Sequence, residues 1–290
     1  MAEQMQDIKR RIKSVSSTER ITNAMKLVSA SKLRRAKNVY EHSQGFLADI
    51  FQSMADALVF AERVPREYVD SEKEVKNKCY VLITSSNGLC GGFNTTIIKA
   101  LEEHLQTENA GVKLATIGTK GKDYFERRGY NIAVVHDNPA DSITFEEAKK
   151  VVAPLIEMYD AGIIDEIDLC YTSYINTLKQ EVVIKKLLPF HLEDFHAAAS
   201  LDHMVHEMEY DPSPLEVFHY MVPRYIELQL YSAAIESATC EHAARRSAME
   251  NANDNARDML SALQIHYNRA RQAEITDEII EIVAGSEAQR

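Results

Sequence analysis

The 290-residue chain has no tryptophan and no Cys-x-x-Cys pair, and its four cysteines (Cys79, Cys90, Cys170, Cys240) are scattered. That spacing indicates neither a disulfide framework nor a zinc site and makes a reducing compartment the default. No run of about 18 apolar residues occurs, so no membrane-spanning segment is expected, and no signal peptide is evident. The net charge of −11 argues against general nucleic-acid binding. Proline and glycine are missing in a pattern. Residues 1–64 hold no proline and only Gly45, and residues 224–284 hold neither; all seven prolines and eight of the ten glycines lie between. This layout predicts two long helices flanking a compact middle domain.

What is present supports that division. Leu228, Tyr231, Ile235, Ala238, His242, Arg245, Met249, Ala252, Ala256, Met259, Leu263, His266 and Ala270 recur at alternating steps of three and four, a coiled-coil seam. Met5, Ile8, Ile12 and Val15 begin a similar seam, which Leu33, Ala36, Tyr40, Leu47, Ile50, Met54 and Ala57 continue. Glu19, Lys26 and Ser29 interrupt the frame, so irregular packing or an outside contact is expected there. His242 and Arg245 lie on the seam itself, either locally unwound and snorkelling or touching an acidic partner. At about 1.5 Å per residue each helix would run roughly 85–90 Å. Charge is uneven: residues 1–40 carry ten Lys or Arg against Glu3, Asp7 and Glu19. A basic helix on an acidic protein suits a phosphate backbone, an anionic membrane or an acidic partner, or is simply a solvated face.

The middle alternates as an α/β unit. Strands are expected at Cys79–Thr84, Lys113–Ile117, Ile132–Val135, Asp168–Tyr174 and Val182–Leu188, with helices at Asn94–Gln106, Lys120–Arg128 and Thr144–Tyr159. The last helix opens on a capping box, Thr144-x-x-Glu147. The first four strands suit a doubly wound parallel order, and the short Ile175–Lys179 link requires an antiparallel final pair. The expected division is a 1–64 helix, a 76–190 α/β domain, an irregular 191–222 connection and a 223–290 helix. Asp211-Pro212-Ser213-Pro214 reads as a turn.

Two constellations could carry chemistry. Gly88-Leu89-Cys90-Gly91-Gly92, between a strand and a helix, fits a thiol nucleophile elbow, though no motif selects a base from His136, His191, His196, His203 and His206. It fits neither a dinucleotide fingerprint nor a Walker loop. The bland reading is a tight turn whose glycines supply positive φ or close backbone approach. His203-x-x-His206 could offer two metal ligands on one helical face, but no third is evident, so no metal is expected.

Several blocks carry a family resemblance: Ile8–Lys37, Gly88–Asn94 (GLCGGFN), Ile117-Gly118-Thr119-Lys120-Gly121, Tyr174-Ile175-Asn176-Thr177, and Tyr267–Gly285 (YNRARQAEITDEIIEIVAG). With these the chain resembles, end to end, the gamma subunits of rotary F-type ATP synthases. The resemblance implies an antiparallel coiled coil of the terminal helices plus a central Rossmann-like α/β domain, an α/β fold overall. It implies a non-catalytic central-stalk rotor without cofactor, coupling rotation of a membrane ring of c subunits to the catalytic sites of beta. The implied partners are the alpha and beta subunits of the hexamer, the epsilon subunit and the ring, with no nucleic acid. The implied place is peripheral, on the cytoplasmic face of a bacterial membrane, the absence of a transit peptide favouring a bacterial protein.

By the same resemblance, Arg10, Lys13, Lys26, Arg34 and Arg35 would face acidic loops of beta. Arg245, Arg271, Gln272, Thr276 and Glu278 would meet the hexamer, and Tyr210-Asp211-Pro212 would lie near the ring. Ser86-Asn87 stands where many members have Asp-Arg, which removes a charge pair. Ala284 and Ser286 replace a common Gly and Ala, and the plastid-type regulatory cysteine pair is lacking. The alternative from another class is a Cys90-dependent α/β hydrolase with coiled-coil arms.

Overall fold

The computed structural model describes residues 2–61, 63–69, 74–177, 179–198 and 209–287. Helix α1 (Ala2–Val59) is followed by β1 (Asn77–Ile83), α2 (Phe93–Thr107), β2 (Gly111–Ile117), α3 (Thr119–Glu126) and β3 (Ile132–His136). A 3-10 turn (Ala140–Ser142) leads to α4 (Phe145–Asp160), β4 (Glu166–Tyr174), β5 (Gln180–Leu188), α5 (Leu192–Ala198) and α6 (Pro214–Glu287). By packing, the chain divides into two compact units, Ser31–Ala244 and Met1–Ala30 with Arg245–Arg290. Both long helices contribute to each unit.

In the larger unit the sheet order is β3-β2-β1-β4-β5, parallel except for the antiparallel β4–β5 pair. Successive residues of β1 point to opposite faces, and both faces are covered. Tyr80 and Leu82 pack with Ile97 and Leu101 of α2 and Phe125 of α3. Cys79, Val81 and Ile83 pack with Val151, Val152 and Leu155 of α4, Met54 of α1, and Val222 and Ile226 of α6. Two covered faces explain why the strand reads as an unbroken apolar run rather than an alternation. The capping box forms as expected: Glu147 N–H donates to the Thr144 hydroxyl, and the Glu147 carboxylate accepts from Thr144 N–H.

Helix α6 begins earlier than the proline pattern suggests. Ser213 Oγ accepts from Glu216 N–H at 3.3 Å and caps a helix that opens on Pro214, where a missing N–H costs nothing. Pro223 then lies inside the helix. It breaks one backbone hydrogen bond, but Phe218, Val222 and Ile226 are buried on either side of it and hold the helix against the sheet. The segment expected to be irregular therefore includes α5 and about two and a half turns of α6. His203 and His206 lie outside the described residues.

In the smaller unit the helices run antiparallel in a fixed register. Lys26 pairs with Glu250 at 3.8 Å, Glu19 with Arg257 at 3.3 Å, and the Lys9 ammonium sits 5.5 Å from the centre of the Tyr267 ring. The two residue numbers of each pair add to 276, which sets one register over this stretch of the two helices.

Candidate functional site

The turn after β1 is the place where a doubly wound fold would hold a ligand, at the carboxyl ends of the strands beside the reversal of strand order. Here that place is built and filled by the chain itself. Asn94, at the start of α2, reaches back to Ser85. Its Oδ1 accepts from Ser85 N–H at 3.0 Å, and its Nδ2 donates to Ser85 Oγ at 2.6 Å and Cys90 Sγ at 3.3 Å. Of the three glycines in the turn only Gly91 has positive φ (58°), and Leu89 joins it at 62°. Gly118, in the adjoining turn after β2, is the more constrained glycine. A Cβ there would come 2.1 Å from the Thr84 carbonyl oxygen.

Cys90 is no poised nucleophile. It is buried, its polar neighbours are the Ser85 hydroxyl, the Asn87 carbonyl and the Asn94 amide, and none of these is a base. It packs instead with Phe93 and with Cys240 of α6, flanked by Tyr174 and Ala244. The Cys240 thiol donates to the Thr172 carbonyl at 3.4 Å, and burial pushes its pKa far up. The Cys90 turn and the end of β4 are thus covered by α6. Among the described residues no group of three or more His, Cys, Asp or Glu side chains is arranged to hold a metal ion. In the position where relatives were expected to carry a charged pair, the Ser86 hydroxyl donates to the Asp137 carbonyl at 3.0 Å.

The opposite end of the sheet carries an ionic cluster. Lys78 bridges Glu108 (2.8 Å) and Glu166 (2.9 Å), and Lys186 meets Glu166 at 2.6 Å. The Lys78 hydrogen bond holds the Glu108 carboxyl down at about 2. Asp168, buried beside these groups, is pushed up to about 7 by desolvation and by the neighbouring Glu166 charge.

The seam positions singled out in the sequence resolve in different ways. His242 is held inside the chain: its Nε2 lies 3.1 Å from Asp141, which the turn after β3 brings against α6 across 101 residues of sequence. The interruptions in α1 form polar layers. Asn253 Nδ2 donates to the Glu19 carbonyl at 2.8 Å and lies 3.2 Å from the Thr22 hydroxyl, and Ser29 is buried. Arg245 is buried in the smaller unit. The C-terminal seam buries Met249 and Ala256, but Met259 is 58% exposed and His266 is exposed.

Of the other proposed contact residues, Arg10, Lys13, Arg34, Arg35, Arg271, Gln272, Thr276 and Glu278 are exposed, and Arg10 is paired with Asp7 one turn away. The Thr276 hydroxyl donates to the Gln272 carbonyl at 2.8 Å. In the larger unit the Tyr210 ring lies tilted against Phe60 at 5.9 Å between centroids, with Asp211 and Pro212 exposed beside it. Charge and periodicity missed a second surface class: Ile21, Leu27 and Val28 on α1, and Ile275, Ile279, Ile280, Ile282 and Val283 at the end of α6, all project into solvent. The available signal was apolar residues standing off the seam. Large apolar groups exposed together mark interaction surfaces. No helix among the described residues is long and apolar enough to cross a membrane.

An α/β domain whose glycine turn is covered by α6, with long helices that expose basic and apolar residues, is the arrangement of a protein that presents surfaces to partners. The family model described as ATP synthase matches residues 4–289. The ATP synthase gamma chain of Alkaliphilus metalliredigens is 41% identical over 285 residues, covering 98% of each chain. The chain named ATP synthase gamma chain, sodium ion specific, of Acetobacterium woodii is 37% identical over 302 residues, covering 99% of each. In fold, the chain is similar to one from the Euglena gracilis mitochondrial ATP synthase assembly of OSCP, F1 and c-ring. The TM-score is 0.68 at 20% identity, covering 100% of this chain and 95% of the other. A second fold match, to the central stalk and c-ring structure of the Tetrahymena thermophila mitochondrial ATP synthase, has a TM-score of 0.63 at 24% identity, covering 80% and 99%. The chain belongs to the ATP synthase gamma chain family.

Proposed function

We infer that this chain is the central-stalk rotor subunit of an F-type ATP synthase, coupling rotation of a membrane ring to conformational change at catalytic sites on beta subunits. The observation that carries it is identity of 41% to a gamma chain over 98% of both lengths. The chemistry belongs to the partners; this chain supplies orientation. An asymmetric helix pair that meets each catalytic site differently biases which conformation that site prefers, a differential-binding effect that needs no catalytic group on the rotor. Exposed Lys13, Arg34 and Arg35 suit acidic loops of beta, and the exposed isoleucines at the end of α6 suit an apolar sleeve of the hexamer. Arg245 would act through its packing, whereas Arg271, Gln272, Thr276 and Glu278 present their side chains outward. Tyr210, Asp211 and Pro212 are placed near the ring, and epsilon on the α/β domain. The division into 1–64, 76–190, 191–222 and 223–290 is kept as a functional one, shaft, foot and shaft. The protein is peripheral, on the cytoplasmic face of a bacterial membrane.

The test is reconstitution. The purified chain, mixed with alpha and beta subunits from a bacterial relative, is expected to yield a stable complex whose ATPase depends on the chain. A probe on the α/β domain is expected to turn in one direction on adding ATP. Failure to assemble, or an intrinsic hydrolase activity abolished by Cys90→Ala, would contradict the rotor reading.

A further inference from the structure

Torque generated in a rotor has to pass between its sheet domain and its helices, and within the larger unit two carboxylates tie these parts together. The first is Asp141, in the short turn between β3 and α4. One of its oxygens, Oδ2, accepts from Lys32 Nζ of α1 at 2.7 Å and from His242 Nε2 of α6 at 3.1 Å. The His242 side chain is only 3% exposed, and its hydrogen bond, aided by Lys32, holds the Asp141 carboxyl far below the usual range. The second is Glu236 of α6, itself buried. Its Oε1 accepts from Ser173 Oγ at 2.7 Å and Tyr174 N–H at 2.8 Å at the end of β4, and its carboxylate also takes the Tyr40 hydroxyl of α1. Each carboxylate therefore joins α1, α6 and the sheet domain.

We propose that Asp141 and Glu236 are the positioning residues that lock the α/β domain to the helix pair against twisting, so that rotation of one is rotation of the other. The physical reason is directionality. The remaining interface is an apolar cluster including Leu47, Tyr171, Ala234 and Ala238, and apolar burial resists separation far better than sliding. Charge-assisted hydrogen bonds are short and oriented, so any slip must break them and leave a buried charge without its partners. Along α6 the attachment points, Glu236 and His242, are about 9 Å apart, and along α1 Tyr40 and Lys32 are about 12 Å apart. Two fastenings at different heights resist a twist that one would permit. Lys32 is the most exposed of the partners, so the buried His242 side of the first node carries more of the load.

The inference rests on the rotor reading, and the experiment separates the two. The full ATP synthase carrying this chain is assembled in membrane vesicles, and ATP hydrolysis and ATP-driven ion uptake are measured on the same preparation. Uptake is read with a pH-sensitive dye and with radioactive sodium. Absence of ATP-driven uptake with the unmodified chain would sink the rotor reading itself. Given coupled uptake, Asp141→Asn and Glu236→Gln are expected to keep hydrolysis near that of the unmodified complex while uptake per ATP falls. The double variant is expected to lose at least about five-fold, the low end of measurable coupling energies. Lys32→Met is expected to lose less than Asp141→Asn. A uniform decrease in hydrolysis and uptake together, or failure of both single variants to assemble, would assign the carboxylates to folding alone and overturn the proposal. So would a double variant that couples as well as the unmodified chain.

Discussion

One helix, α6, lives in two environments. From Ile226 to Ala243 it is buried on nearly every face except at Tyr231, and Ile226 is 1% exposed. From Met259 onward it is mostly bare, and Ile279 is 55% exposed. The two stretches do not differ by being polar or apolar. The buried one contains Gln229, Glu236, Glu241 and His242, and the bare one contains five exposed isoleucines and a valine. What differs is the company each keeps within the chain. The buried stretch is surrounded by α1 and the sheet domain, and its polar groups find oriented partners there. The bare stretch has no such cover within the chain, and its exposed apolar groups mark a surface for another protein to complete. A hydrophobic residue's burial is thus a property of the assembly, and a lone chain shows where that assembly must complete it.

The contrast can be broken at graded cost. Ile226→Ala removes a fully enclosed side chain from the main core and is expected to destabilise the isolated chain by roughly 2–5 kcal/mol in urea unfolding. Ala238→Leu, at a fully buried position, overpacks the same region and is expected to cost about 1–3 kcal/mol. At the bare end, Ile279→Ala is expected to change the isolated chain's stability by no more than about 0.5 kcal/mol. The same variant is expected to weaken binding to the alpha–beta hexamer in a pull-down titration. An Ile279 variant as destabilising as the Ile226 one would erase the distinction.

Protons offer a finer separation. Asp168 in the larger unit has its pKa raised from 3.8 to about 7 by burial and then by Glu166, so the folded chain binds this proton more tightly than the unfolded chain. Stability from this group is therefore greatest at acid pH and declines as pH rises from about 4 through 7. Glu108, lowered from 4.5 to about 2, acts in the opposite sense, with its contribution lost as pH falls below 4.5. Asp168→Asn is expected to flatten the neutral limb and to raise Tm by a few degrees at pH 8 relative to pH 5. An unchanged pH profile would show that Asp168 is not the group responsible.

Much of the fold was legible because its signals are local. The proline- and glycine-free ends marked the long helices, the Thr144-x-x-Glu147 pattern marked the start of α4, and the short Ile175–Lys179 link required β4 and β5 to run antiparallel. The start of α6 was misjudged because Pro223 reads as a breaker until Phe218, Val222 and Ile226 are seen buried around it. Asp141 was illegible for a different reason. Its partners Lys32 and His242 lie 109 and 101 residues away, and nothing in a run of sequence announces that a turn will arrive between two helices. Cys90 looked like a site because strand, glycine turn and helix are where sites occur. Cys240, filling the crevice from more than a hundred residues away, could not be read from the turn.

Hydrogen exchange, followed by mass spectrometry on the free chain and on its complex with alpha and beta subunits, tests the central claim most directly. Amides of residues 226–243 are expected to exchange slowly and alike in both states, whereas those of 259–287 exchange fast when free and become strongly protected on assembly. Equal exchange of 259–287 in the two states would contradict the account, because the bare half of α6 would then have no partner waiting for it.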